Sequence, residues 1–331
     1  MSLPDEATGA ADRPARTRLV WIVPGAAVAA VVATLAVAVL DTQSPPTAPG
    51  SVELSVPPQA AGATPDPALI EQSPDGPLPI IAKDGRQPWQ VYARQFDSAV
   101  KLPRVAIVIS GLGLDSDATR AAITHLPAPV SLAFSPYAHD LSSWIAAARQ
   151  AGHEVLLGLP MEPADFPRQD PGPRTLLTSL PPDQNIARLR WILGRGTNYV
   201  GLVGVEGDRF VAERSSLEPI LDALKTRGLL FIDDHDPSTS VAGALGHEMD
   251  MAWAITNRRL DSDASQPAVD KMLADLDATA AQDGAALGLG DLYPVTIERV
   301  IAWAPALPSK GIELVPATAV ATRQILPQKM P

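Results

Sequence analysis

Cysteine is absent from this chain, which excludes a disulfide framework, a thiolate nucleophile and a Cys-ligated zinc. Positive charge is scarce: 26 Lys and Arg stand against 37 Asp and Glu, a formal net charge of -11. A nucleic-acid surface needs clustered cations, so no nucleic-acid partner is expected. Tight adhesion to anionic lipid headgroups is disfavoured for the same reason. No H-x-x-x-H or H-E-x-x-H spacing occurs, so the zincin type of helix site is missing too. Gly111-Leu-Gly113 follows an apolar run, but Ser116 stands where a dinucleotide fingerprint needs its third glycine.

What is present divides the 331 residues by texture. Leu19 to Leu40 carries no charge, is preceded by Arg13, Arg16 and Arg18, and is followed by Asp41. About 20 apolar residues suffice to span a bilayer as helix, and the arginine bias directs the N-terminus to the cytoplasm. A signal peptide cleaved near Ala36-Val37-Ala38 is the alternative, although the run is long for a signal h-region. The next segment is rich in Pro and Ala, and many of the chain's 34 prolines crowd between Pro45 and Pro88. Such composition buries too little apolar surface to offset chain entropy and favours extended conformations. The expected organisation is a cytoplasmic tail (1–18), a transmembrane anchor (19–40), a periplasmic linker (41–100), a folded domain (101–322) and a tail (323–331). The aromatic stretch Trp89 to Phe96 is expected to dock on that domain.

From Lys101 onward, short β-branched apolar runs alternate with amphipathic stretches. Strands are expected at Val105–Ile109, Val130–Phe134, Glu154–Leu159, Tyr199–Val205, Leu229–Asp233, Met251–Ile255, Ala285–Leu289 and Ile312–Val315. Helices are expected at Asp117–His125, Leu141–Ala151, Pro182–Leu193, Ser215–Arg227, Ser240–His247, Pro267–Gln282 and Thr296–Ala304. Gly152, Gly228 and Gly311 stand where helices hand over to strands, and Asp183 and Ser215 stand where N-caps belong. Continuous apolar strands separated by helices indicate parallel strands covered on their outer face. The pattern fits an α/β fold of the (β/α) barrel type, with a doubly wound open sheet as the alternative.

Parallel α/β folds build their sites at the carboxyl ends of strands. Those ends carry Ser110-Gly111, Pro136-Tyr137, Met161-Glu162, Glu206 to Arg209, Asp233 to Asp236, Asn257-Arg258 and Asp291. His153 opens its strand at the opposite face and is expected to be structural. Tyr137 and Tyr293 are candidates for stacking on a saccharide. Trp144, Trp191 and Trp303 fall on helices and are expected to pack. His125, His139 and His247 are expected at the surface or in caps, and Asp261-Ser-Asp263 in a solvated loop.

Ordered segments across Arg104 to Thr318 resemble the divergent polysaccharide deacetylase family of bacterial envelope proteins. They are V-A-I-V-I-S-G-L-G from Val105, P-V-S-L-A-F-S-P-Y from Pro129, H-E-V-L-L-G-L-P-M-E-P from His153 and D-P-G-P from Asp170. The series continues with V-G-L-V-G-V-E-G-D-R-F from Val200, L-F-I-D from Leu230 and G-L-G-D-L-Y-P from Gly288. The resemblance implies a distorted seven- or eight-stranded barrel, an envelope carbohydrate as substrate, and a divalent metal held by Asp and His. In that chemistry the metal polarises an acetamide carbonyl while a carboxylate and a histidine move protons.

The chain departs from that pattern at the ligand positions themselves. Ser110 and Gly111 stand where paired aspartates are usual, and Gly158 replaces the signature histidine. Val205 and Asp291 replace two further histidines. Glycine and valine side chains cannot bind metal, and serine is a weak ligand. One reading is a membrane-anchored, non-catalytic module that binds an envelope glycan or a periplasmic protein. The other is a hydrolase with a rebuilt acidic site, its catalytic candidates Glu162, Asp233, His235 and Asp291. Oxygen-rich clusters suit Mg, Mn or Ca better than Zn. Glu206, Asp208 and Arg209 join Tyr137 and Tyr293 as substrate-binding candidates. A Glu162–Arg209 ion pair across the barrel mouth is the plainer expectation for those two residues.

Overall fold

The computed structural model describes residues 64–99, 101–235, 238–321 and 324. Leu19 to Leu40, most of the Pro-rich segment and Asp236 lie outside the described residues. No helix among the described residues is long and apolar enough to cross a membrane.

The chain enters through a hairpin, β1 (Ile70–Ser73) and β2 (Gly76–Pro79), and a short helix α1 (Pro88–Val91). The domain proper begins with β3 (Arg104–Leu112), α2 (Ser116–His125), β4 (Ser131–Phe134), α3 (Leu141–Gln150), β5 (Val155–Pro160) and α4 (Pro182–Leu193). It continues with β6 (Gly201–Val205), α5 (Asp208–Ala212), α6 (Arg214–Thr226), β7 (Leu230–Asp233), α7 (Ala242–Glu248), β8 (Trp253–Ile255) and β9 (Arg258–Arg259). Last come α8 (Gln266–Asp283), β10 (Ala285–Asp291), α9 (Pro294–Trp303) and β11 (Glu313–Val315). All the expected strands and helices are present, with ends shifted by a few residues. Asp183 and Ser215 fall inside their helices, because Pro181 and Glu213 take the capping positions. Gly152, Gly228 and Gly311 adopt positive φ at the helix-to-strand turns, where a Cβ would be strained.

The large sheet is parallel and runs β8-β7-β6-β5-β4-β3-β10-β9, with β11 against the start of β3. Its two edges, β8 and β9, are halves of one bent segment. Thr256 N donates to Asp233 O at the end of β7, whereas Asn257 N donates to Leu287 O on β10 (2.8 Å each). The Asn257 side-chain oxygen also accepts from Leu287 N. Adjacent residues therefore bond to opposite edges, and the sheet curls into a barrel-like form. Small and branched residues such as Ala106, Val108, Ala133, Val203, Ala254 and Leu289 fill the inner layer. Their strand neighbours Val105, Ile107 and Ile109 belong to the outer layer with the helices. Burial on both faces is the reason the strands read as unbroken apolar runs.

Two boundaries differ from expectation. Residues 64–99 are not linker: Leu69, Leu78 and Tyr92 are fully or almost fully buried, and Tyr92 joins the inner layer near β3 and β6. The Tyr92 hydroxyl accepts from Asp66 N, and Arg94 N donates to the buried Glu154. Proline content concealed a few well-placed apolar residues. At the other end Gln324 belongs to the domain, since its amide bonds to Ile255 on both N and O and to Asn257 Oδ1. His153 is buried at the N-terminal end of β5, its ring nitrogens at 2.8 and 3.1 Å from the Val130 and Ile123 carbonyls.

Candidate functional site

A cavity of about 340 Å³ opens at the carboxyl ends of the strands. Its walls come from Ser110 of β3, Gly204 and Val205 of β6, and Glu206 and Asp208 just beyond. Asp234 and His235 follow β7, Arg259 ends β9 and Asp291 ends β10. Parallel register brings these ends level, which is why residues far apart in sequence share one space.

Arg259 stands at the centre of the charges. Its guanidinium pairs with both Asp234 and Asp291, and Nε lies 3.8 Å from Asp261 Oδ1. Ser110 Oγ donates to the other Asp291 oxygen at 2.5 Å. Asp261 is fully buried and accepts from Asp291 N (2.7 Å) and Thr296 Oγ1 (2.8 Å). Burial, opposed by Arg259, raises the Asp234 carboxyl to about 7. Burial likewise raises the Asp261 carboxyl. The carboxylates around Arg259 keep its guanidinium charged despite the desolvation that opposes it.

Beside this group lies a second pair. Asp233 is almost completely buried and its Oδ1 accepts from His235 Nδ1 (2.9 Å) and His235 N (3.2 Å). Burial lowers the imidazole's proton affinity, but the Asp233 hydrogen bond and the neighbouring carboxylates outweigh it and raise the value. With Nδ1 fixed on Asp233, Nε2 faces the cavity; its nearest acid is Asp208 Oδ1 at 3.9 Å. The strand end beside it is shaped by Glu206 and Gly207, both at positive φ. A Cβ on Gly207 would approach Met161 to 2.7 Å.

The remaining expected residues lie elsewhere. Glu162 forms the expected pair with Arg209 (2.9 Å) and accepts from Thr178 N and Oγ1 (2.6 and 2.7 Å). Burial raises its proton affinity, yet Thr178 and Arg209 together hold the carboxyl below the usual range. These contacts tie the loop between β5 and α4 shut, so Glu162 and Arg209 do not line the cavity. Tyr137 braces the same loop: its hydroxyl accepts from Arg174 N, and its ring presses on Gly172, where a Cβ would sit 2.5 Å away. Tyr293 is half exposed at the start of α9 and also lies off the cavity. Gly111 is exposed at a register shift between β3 and β4. A Cβ on Gly158 would lie 3.0 Å from Val205 Cγ2, so the valine methyl crowds the space a larger residue would need.

Arg259 and Asp261 are the residues that pattern reasoning missed. Arg258, expected at the strand end, instead donates to Asn257 O. The bend at Thr256-Asn257 resets the strand alternation, so sequence phase could not say which arginine turns inward. Asp261 read as a solvated loop residue because Ser262 and Asp263 follow it, yet it is buried beneath Arg259.

The donor set does not fit the divalent metal that the resemblance implies. Ser110 is engaged with Asp291, and Asp233 gives Oδ1 to His235 while its buried Oδ2 has no hydrogen-bond partner among the described residues. Gly111, Gly158 and Val205 offer no donor atoms. Asp234 and Asp291 already share a guanidinium, so the conceived set of Asp233, His235 and Asp291 is not assembled. Among the described residues no group of three His, Asp or Glu side chains is placed to hold a metal.

Comparison with known proteins agrees with the architecture. The profile of the divergent polysaccharide deacetylase family matches residues 107–321. The crystal structure of an uncharacterized protein from Agrobacterium tumefaciens C58 superposes with a TM-score of 0.72 at 36% identity, over 74% of this chain and 99% of that one. An uncharacterized protein from Haemophilus influenzae is 25% identical over 215 residues, 64% of this chain and 74% of its own length.

Proposed function

The chain belongs to the divergent polysaccharide deacetylase family, and we propose that it serves there as a non-catalytic, glycan-binding member of the bacterial cell envelope. The observation that carries the reading is Arg259, whose guanidinium bridges Asp234 and Asp291 at the strand ends. A protein cation fills the role that a metal has in the usual deacetylase chemistry. It can hold carboxylates in place, but it offers no open coordination position to activate water. The degenerate positions Ser110, Gly111, Gly158 and Val205 support the same reading.

In this proposal Leu19 to Leu40 anchors the protein in the inner membrane, with the N-terminus cytoplasmic. The Pro-rich stretch then projects the domain into the periplasm. The charge-free, almost wholly apolar run from Leu19 to Leu40 and the arginines before it support that placement.

The test is metal analysis of the purified full chain after incubation with Zn, Mn or Mg, followed by an acetate-release assay on an N-acetylated glycan. We expect no stoichiometric metal and no acetate. Bound metal at one equivalent together with acetate release would overturn the reading. The periplasmic placement is tested separately, by fusing a periplasm-dependent reporter after Pro331.

A further inference from the structure

We infer that a second cavity, at the amino ends of the strands, holds a neutral sugar unit against the Trp89 indole. The inference rests on the glycan-binding reading above and gives it a place and a chemistry. The cavity measures about 330 Å³, near the small end of the roughly 300–1,000 Å³ range of ligand pockets. Ile81, Gln87, Trp89 and Gln90 of the entry segment form one side. Lys225, Asp250 and the turns into β7 and β8 form the other. The space exists because the entry segment closes on the turn between α6 and β7. Trp89 N donates to Gly228 O at 3.1 Å, and Gly228 has φ of 64°. A Cβ on Gly228 would lie 3.0 Å from atoms of Gln87, Ile81 and Pro88, so glycine permits that approach.

Three features of the walls fit a sugar. The first is an aromatic surface fixed in advance. Trp89 Nε1 donates to Gln87 Oε1 at 2.8 Å, and the half-buried ring packs against the inner layer. Ile81, left 37% exposed, extends the apolar surface that the C–H face of a pyranose can cover. The second feature is a set of polar groups not spent on the fold. The Gln87 amide nitrogen and the Gln90 side-chain amide make no hydrogen bond among the described residues. The Asp250 carboxylate makes neither a hydrogen bond nor an ion pair among them. Lys225 Nζ gives one hydrogen to Met249 O and keeps two. Donors and acceptors therefore stand together, which suits hydroxyl groups, since each one both gives and accepts. The third feature is balance. The charges of Lys225 and Asp250 cancel, so a ligand without net charge fits better than a phosphate or an ammonium. The cavity around Arg259, by contrast, has no Trp, Tyr or Phe in its walls.

The experiment is titration calorimetry of the full chain against a neutral probe, an N-acetylglucosamine tetramer. The wild type is compared with the double variant Gln90→Ala, Asp250→Asn. Both side chains are exposed, and asparagine tolerates the φ of 52° at residue 250, so the melting temperature should hold. We expect the double variant to bind at least about tenfold more weakly, the size of one hydrogen bond to a charged group. Trp89→Leu is expected to weaken binding by a similar factor, and the double variant decides the matter if that chain fails to fold. Unchanged affinity in the double variant would overturn the inference and leave the glycan-binding reading standing. A loss seen instead in Glu206→Gln, Asp208→Asn would move the sugar to the opposite end of the barrel and overturn it as well. No binding by the wild type would overturn both.

Discussion

Arg259 puts one guanidinium between two carboxylates, and its removal would strand both. For Arg259→Met we expect a loss of about 3 kcal/mol in urea unfolding, the scale for removing one partner of a largely buried pair. Asp234 adds a pH signature. Its proton affinity is raised from 3.8 to about 7, so the folded chain holds a proton that the unfolded chain releases in that window. That contribution is complete below the lower value and is lost as pH rises through the higher one. Asp234→Asn has no proton to lose there. Its melting temperature should therefore gain on the wild type as pH is raised from about 5 to about 8. A constant difference between the two melting curves would contradict the assignment. Gly158 is a third case at this scale. Gly158→His must push Val205 Cγ2 aside from 3.0 Å, and it should cost about 1–3 kcal/mol without creating a metal site. The identity of residue 158 was legible as a departure from the signature. Val205 as its space-filling neighbour was not, because the two meet across strands.

At the scale of elements, the signature loop between β5 and α4 acts as a clamp. Met161 bridges to Leu176 in parallel register, and Glu162 reaches Thr178 and Arg209. The familiar letters M-E-P and D-P-G-P are thus accounted for by loop closure. Glu162→Ala leaves the Thr178 amide and hydroxyl without their acceptor. A loss of about 2 kcal/mol is expected, together with faster proteolysis between Pro163 and Pro181. A protease-resistant loop in that variant would show that the clamp lies elsewhere. The bent segment β8–β9 is the other decisive element. Its first half was visible as an apolar run and its second was not, because two residues form no period. The turn at Thr256-Asn257 is fixed only by hydrogen bonds to two different strands.

On the scale of the whole molecule, the barrel is completed by its flanks. Residues 317–321 pack into the inner layer, and the buried Glu154 accepts from Thr318 N at 3.0 Å and from Arg94 N at 3.2 Å. One internal carboxylate thereby joins the entry segment to the C-terminal end. Leu69 and Tyr92 add apolar cover to the same layer. A chain that starts at Lys101 should melt well below one that starts at Thr64. Each fully buried large apolar side chain is worth about 1.5–3 kcal/mol, and the truncation removes several. Equal melting temperatures would restore residues 64–99 to the status of linker.

The sequence by itself determined the layering. Unbroken apolar strands between amphipathic helices admit little but a parallel α/β fold, because each strand must be covered on both faces. It also determined that the usual metal ligands are missing, since that follows from side-chain identity alone. Only the tertiary structure decided what stands in their place. The pairing of Arg259 with Asp234 and Asp291 depends on a bend that resets strand phase and on edges meeting around a curl. Neither leaves a local periodic trace. The orientation of His235 on Asp233, and the closure of Glu162 on Thr178, likewise come from contacts whose geometry residue type alone does not specify.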